Sequence, residues 1–180
     1  MALGATVYAL EVALNDADRG VYETLAFRVA RHPSEHEAFL ATRVLAYCLE
    51  YTEGLAFSRG GLSDPDEPAL AIRDLTGVVQ AWIEVGSPEA ARLHRAAKAA
   101  PRVVVYPHRD TAHLLGRLRS ETIHRAREIE IREIDPALIA GFAAALERRM
   151  TLDLAISDGH LYLSAGTTTL DGPLTLHSIA

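Results

Sequence analysis

The stretch from Val78 to Val85 (VVQAWIEV) constrains the chain most, because it is almost continuously apolar. A strand of that kind is stable only when both of its faces are covered. Gly86-Ser87-Pro88 ends it and opens a helix, with Ser87 as N-cap, Pro88 at the first helical position and Glu89 in the electropositive first turn. That helix extends to about Ala100. Val103 to Tyr106 (VVVY) is a second short buried strand, so the order strand, helix, strand predicts a parallel crossover.

Other segments build outward from this unit. Thr6 to Leu14 and Tyr22 to Arg31 are β-prone runs joined by turn residues 15–20, which predicts an N-terminal hairpin. His32-Pro33-Ser34 stops the second run. Ser34 fits an N-cap, Glu37 completes a capping box, and the helix runs to about Tyr51 with Phe39, Leu40, Val44, Leu45 and Cys48 on its core face. Leu55 to Ser58 and Ala69 to Arg73 read as short strands around a flexible segment, Arg59 to Pro68. Thr111 to Thr122 reads as a helix, and the alternation in Glu128 to Ile134 (EIEIREI) as a strand with one solvated face. Asp135 and Pro136 open a helix ending near Met150. Leu152 to Ile156 and His160 to Leu163 form a hairpin about Ser157-Asp158-Gly159. Beyond Gly166 the signals are weak, which suggests a mobile tail. The expectation is an α/β (α+β) chain, a mixed β-sheet flanked by helices, with one domain over residues 1–165 and a tail over 166–180. It lacks the regular alternation of a Rossmann or barrel chain.

Composition narrows the function classes. The net charge of −6 disfavours phosphate binding over the whole surface, while leaving room for a local basic site beside carboxylates. Lys98 is the single lysine; the other basic residues are arginines. No apolar run reaches the ~20 residues of a membrane span, and the N-terminus lacks the pattern of a secretory signal. Cys48 is the only cysteine, which excludes an intrachain disulfide framework and a multi-cysteine zinc site. A soluble, reduced, cytoplasmic protein is expected. Gly60-Gly61 stand outside any phosphate-loop context.

Two motifs dissolve on inspection. His32-Pro33-Ser34-Glu35-His36 matches the H-x-x-E-H string of inverted zinc peptidases. That chemistry needs both histidines on one continuous helix, and Pro33 with the Ser34 cap leaves His32 outside it. Asn15 to Gly20 resembles the start of a calcium loop, but the twelfth position is Ala26 where a bidentate glutamate is required.

A carboxylate cluster carries more. Asp64, Asp66 and Glu67 sit at the mouth of one strand and Glu84 near the end of the next. Neighbouring strands can bring such groups into an oxygen-lined pocket for Mg²⁺ or Mn²⁺. A carboxylate inside an apolar strand costs several kcal/mol unless paired or metal-bound. Glu84 therefore needs either a metal ion or an arginine of the following helix, and spacing alone does not choose. On that helix Arg92, Arg95 and Lys98 form a ridge at i, i+3 and i+6. A helix folding back over its strand puts Arg92 or Arg95 nearer the level of Glu84.

The ordered set His32-Pro33-Ser34-Glu35, Phe57-Ser58-Arg59-Gly60, Asp66-Glu67-Pro68-Ala69-Leu70, Asp74-Leu75-Thr76-Gly77, Trp82 to Pro88 and Val103 to Tyr106 resembles the YaeQ family of bacterial proteins. The likeness runs from the first hairpin to Asp158-Gly159. It implies a PD-(D/E)XK nuclease-like fold, with Glu35 as a glutamate of the first helix, Asp66 or Glu67 as the first strand's acid and Glu84 as the acid of the (D/E)xK element. Gly86 occupies the place of the nuclease lysine, so a cation has to come from Arg92, Arg95 or Lys98. Relatives often carry Pro-Asp at Pro68-Ala69 and lysine at Arg95, and an arginine cannot act as a base near neutral pH. The resemblance implies metal-dependent phosphodiester hydrolysis of DNA or RNA. The alternative is a degenerate nuclease fold that binds a nucleic acid or a protein partner without cleavage.

Overall fold

The computed structural model describes residues 4–59, 64 and 66–180. Its contacts divide the chain into two compact units, residues 1–44 with 134–175 and residues 45–133 with 176–180.

In the first unit, β1 (Thr6–Asp16) and β2 (Val21–Arg31) form the expected antiparallel hairpin, paired in register from Thr6↔Arg31 to Asp16↔Val21. On its other side β1 runs parallel to β8 (Arg149–Ser157), which turns tightly into β9 (His160–Ala165) and then β10 (Thr168–Ser178). The order is β2-β1-β8-β9-β10. Alternation decides which face is buried: Leu10, Val12, Leu14, Leu152, Leu154, Leu161 and Leu163 point inward, whereas Glu11, Thr151 and Asp153 remain exposed. Asp18 locks the turns together by accepting the backbone N–H groups of Asp158 and Gly159 at 2.8 and 2.9 Å.

The segment after Gly166, expected as a mobile tail, is the eleven-residue strand β10. The pair Gly172-Pro173 hides it, since both residues read as a break. Gly172 is needed because the Asp135 side chain presses on it; a Cβ there would collide with Asp135 Oδ2. Asp135 also donates its N–H to Pro173 O at 3.0 Å and caps helix α4 (Pro136–Ala145), which is shorter than expected.

The second unit holds the strand, helix, strand core. Its order is β7-β6-β5-β4-β3, with β3 (Leu55–Phe57), β4 (Leu70–Arg73) and β5 (Val79–Val85) antiparallel, and β5, β6 (Arg102–Tyr106) and β7 (Glu130–Ile134) parallel. The predicted crossover is thus present. Helix α2 (Ala90–Ala99) and helix α3 (Thr111–Arg119) press Leu93, Ala96, Leu114 and Leu118 onto Trp82, Val103, Val105 and Ile131. Leu93→Ala would lose about 2–5 kcal/mol by leaving a cavity in this layer.

Two helix starts differ from expectation. Helix α1 (Glu37–Leu49) begins three residues after Ser34, whose hydroxyl instead meets His32 Nδ1 at 2.6 Å. Helix α2 begins after Glu89, while Ser87 accepts hydrogen bonds from Arg117 through its hydroxyl and its carbonyl. In both places a distant or reversed hydrogen bond takes the group that would have capped the helix.

Beneath this sheet lies a polar network that sequence reasoning missed. Glu50, 4% exposed at the end of α1, accepts from Tyr106 Oη at 2.6 Å, Arg132 Nη1 at 2.7 Å and Arg102 Nη1 at 2.7 Å. Arg102 also reaches Glu130 at 2.9 Å. Burial alone would raise the Glu50 pKa, but the hydrogen bond and charge of Arg102, then Tyr106 and Arg132, hold it below the ordinary carboxylate value. Burial beside that carboxylate pushes the Tyr106 hydroxyl well up. A depressed folded value means that Glu50 contributes stability fully above its unfolded value, roughly pH 4.3, and loses it as pH falls through the folded value. Glu50→Gln is expected to cost about 3 kcal/mol at neutral pH and to flatten the acid limb of Tm against pH. Thermal melts followed by circular dichroism from roughly pH 7 down to 3 check both effects.

Candidate carboxylate site

Glu84 stands near the C-terminal end of β5, two residues before Gly86, where the strand leaves the sheet. It is 5% exposed. Its Oε1 accepts two hydrogen bonds, from Trp82 Nε1 at 2.6 Å and from Arg92 Nε at 2.7 Å. Arg92 lies on the first turn of α2, where the helix folds back over its own strand, and its guanidinium carbon stands 5.8 Å from the centre of the Trp82 ring. The rest of the guanidinium is also engaged. Nη1 donates to Asp64 O at 3.0 Å and Nη2 to Glu67 O at 2.6 Å. Of the two alternatives that spacing left open for Glu84, the structure shows the arginine.

The acidic loop and the end of β5 therefore meet, but through its backbone and Arg92. The Glu67 carboxylate turns to Ser58, whose Oγ donates to Oε2 at 2.8 Å, with Arg59 N donating at 3.3 Å. Asp66 is exposed, and its N–H donates to Asp64 Oδ1 at 2.9 Å. Part of the expected flexible segment, residues 60–63 and 65, falls outside the described residues. Arg95 and Lys98 are exposed on α2 and make no ion pair with a described residue, so Arg92 alone of the three cations reaches Glu84.

Glu35 belongs to the first unit and is not a helix residue. It sits in the turn before α1 and is buried, with Arg43 donating to Oε1 at 2.8 Å and to Oε2 at 2.9 Å, and His32 N donating to Oε2 at 3.1 Å. Arg43 also reaches Ala30 O on β2. The histidine string around Glu35 is thus a turn organised by a buried ion pair. His32 and His36 are both exposed there, outside the helix that a zinc site would need.

The donor set does not fit a divalent ion as arranged. Oxygens from Glu84, Asp64 and Glu67 converge, but on the Arg92 guanidinium. Among the described residues no group of three or more His, Cys, Asp or Glu side chains is placed to hold a metal ion. No helix among those residues is long and apolar enough to cross a membrane.

These features define a mixed α+β protein with mixed sheets flanked by four helices and a carboxylate–guanidinium clamp at the end of a buried strand. The YaeQ protein family model matches residues 1–173, and the chain belongs to that family. It is 31% identical over 176 residues to the YaeQ proteins of Escherichia coli (strain K12) and Salmonella typhi, covering 97% of this chain and of each relative. The crystal structure of YaeQ from Pseudomonas syringae superposes with a TM-score of 0.85 at 33% identity, over 98% of this chain and 96% of that one. The structure from Xanthomonas axonopodis pv. citri superposes at 0.79 with 31% identity, over 97% of both chains.

Trp82 is the sole tryptophan, so the clamp has its own optical probe. Arg92→Ala would leave Glu84 buried without a cation, at a cost of about 3–5 kcal/mol. It should also shift Trp82 emission in the folded state, whereas Arg95→Ala should leave both stability and emission near the parent values. Fluorescence-monitored urea unfolding reads both.

Proposed function

We propose that this chain is a PD-(D/E)XK nuclease-like protein that binds a nucleic acid without cleaving it. The nuclease-like reading is supported by the placement of its parts: adjacent antiparallel strands β4 and β5, acids just before β4, Glu84 at the end of β5, and a cation on the helix that follows. One observation carries the non-cleaving reading. Arg92 uses Nε, Nη1 and Nη2 on Glu84 and on the carbonyls of Asp64 and Glu67, so the positive charge this acidic site requires comes from within the chain. An arginine stays protonated and cannot serve as a base, and Gly86 brings no ammonium. Arg95 and Lys98, exposed one and two turns further along α2, remain available to phosphate oxygens.

A second reading rests on the same geometry. Three oxygens, two carbonyls of the acidic loop and one carboxylate oxygen of β5, converge on one cation, and a swing of Arg92 would free them for Mg²⁺ or Mn²⁺. Hydrolysis of DNA or RNA would then require the ion to displace the guanidinium.

Fluorescence anisotropy with labelled single- and double-stranded oligonucleotides, with and without Mg²⁺ or Mn²⁺, tests both. Metal-independent binding that falls with salt, weakens in Arg95→Glu/Lys98→Glu and leaves strands intact on denaturing gels supports the first reading. Cut strands that depend on Mn²⁺ and vanish in Glu84→Ala would replace it by the second. Absence of binding to either oligonucleotide rejects the first outright.

A further inference from the structure

The exposed face of the first unit's sheet carries an unneutralised basic notch. In register, Ala9 of β1 stands between Arg28 of β2 and Arg149 of β8, so the three side chains leave the sheet on the same side. Strands lie about 4.8 Å apart, which puts the two arginine Cα atoms roughly 10 Å from each other. Only a methyl group fills the space between them. Arg148 lines the same depression, of about 600 Å³, together with Val7 and Glu147. A neighbouring depression of about 640 Å³ extends it past Ala26 and Thr151, with Glu11 on its border.

Arg28, Arg148 and Arg149 are exposed and make no ion pair with a described residue. That is unlike Arg102, Arg117, Arg125 and Arg132, each of which reaches a carboxylate. Like charges facing each other across one intervening strand repel unless an anion sits between them. We propose that this notch binds the phosphate group of a phosphomonoester, with Arg28 and Arg149 as a two-sided clamp and Arg148 as the third donor. Guanidinium forks match phosphate oxygens in pairs, and a monoester carries about −1.5 to −2 at neutral pH, more than a single diester. The flanking acids choose between a compact ligand and a polymer. A strand of successive phosphodiesters crossing this face would meet Glu11 and Asp153, both exposed on the same side. A single terminal phosphate avoids them, and its organic part can rest over Ala26 and Thr151.

The test is calorimetric titration of the intact chain with phenyl phosphate, inorganic phosphate and an oligonucleotide lacking terminal phosphates. Arginine Nε–Hε resonances are followed in parallel on ¹⁵N-labelled protein. Saturable phenyl phosphate binding that moves the Arg28 and Arg149 resonances, and weakens about tenfold or more in Arg149→Ala, supports the site. Inorganic phosphate binding as tightly as phenyl phosphate would make free phosphate the ligand and overturn the monoester assignment. Equal competition by the oligonucleotide at the same resonances would overturn the compact-ligand assignment. No saturable binding, or binding that Arg28→Ala and Arg149→Ala leave unchanged, removes the site altogether. Both substitutions are on exposed side chains, so each variant should melt no lower than the parent without ligand; Arg127→Ala, exposed in the second unit, serves as the control that should not alter phenyl phosphate binding.

Discussion

A carboxylate at the end of a strand covered on both faces has to be compensated where it stands, because water cannot reach it freely. Glu84 is that carboxylate and Arg92 is its compensation. The pair does more than neutralise a charge. By spending its remaining donors on the carbonyls of Asp64 and Glu67, Arg92 ties the acidic loop to the sheet, and by lying near Trp82 it joins the polar clamp to the apolar layer beneath α2.

The same solution recurs at every buried glutamate described above. Glu35 is held by Arg43, and Glu50 by Arg102, Arg132 and Tyr106. In each case the cation is arginine, whose planar fork and five donors can satisfy a carboxylate and nearby carbonyls together. A lysine could bring the charge but not that geometry. The chain's near-exclusive use of arginine thereby acquires a structural use at these positions.

For function, the clamp sets what the acidic site can do at rest. A site whose oxygens already surround a permanent cation is poised to hold structure, and chemistry there has to begin by moving Arg92. The exposed cations Arg95 and Lys98, and separately Arg28, Arg148 and Arg149, are among the basic groups that make no ion pair with a described residue. In a chain of net charge −6, such unspent charges mark where anionic ligands have most to gain.

Much of the second unit was legible in the sequence. The apolar run before Gly86, the helix that follows and VVVY dictate a parallel crossover, since local periodicity and β-propensity there agree with the tertiary fold. The nearness of Glu84 to a helix cation was legible too, because helix rise and strand direction limit the reach of Arg92. Strand β10 was not, since the contact that makes Gly172 necessary comes from Asp135, far back in the chain. Nor were the partners of Glu50 legible, since Arg102 and Arg132 lie 52 and 82 residues away, and Arg132 reads locally as part of a solvated strand face. The notch at Ala9 likewise depends on the register of β1 against β8, which closes over some 140 residues of chain. Local sequence determined the strand, helix, strand crossover and the burial of Glu84 within it; tertiary structure alone decided which cations reach the acids and which are left over, because ion pairing depends on distances of a few ångströms that only strand register and helix packing can set.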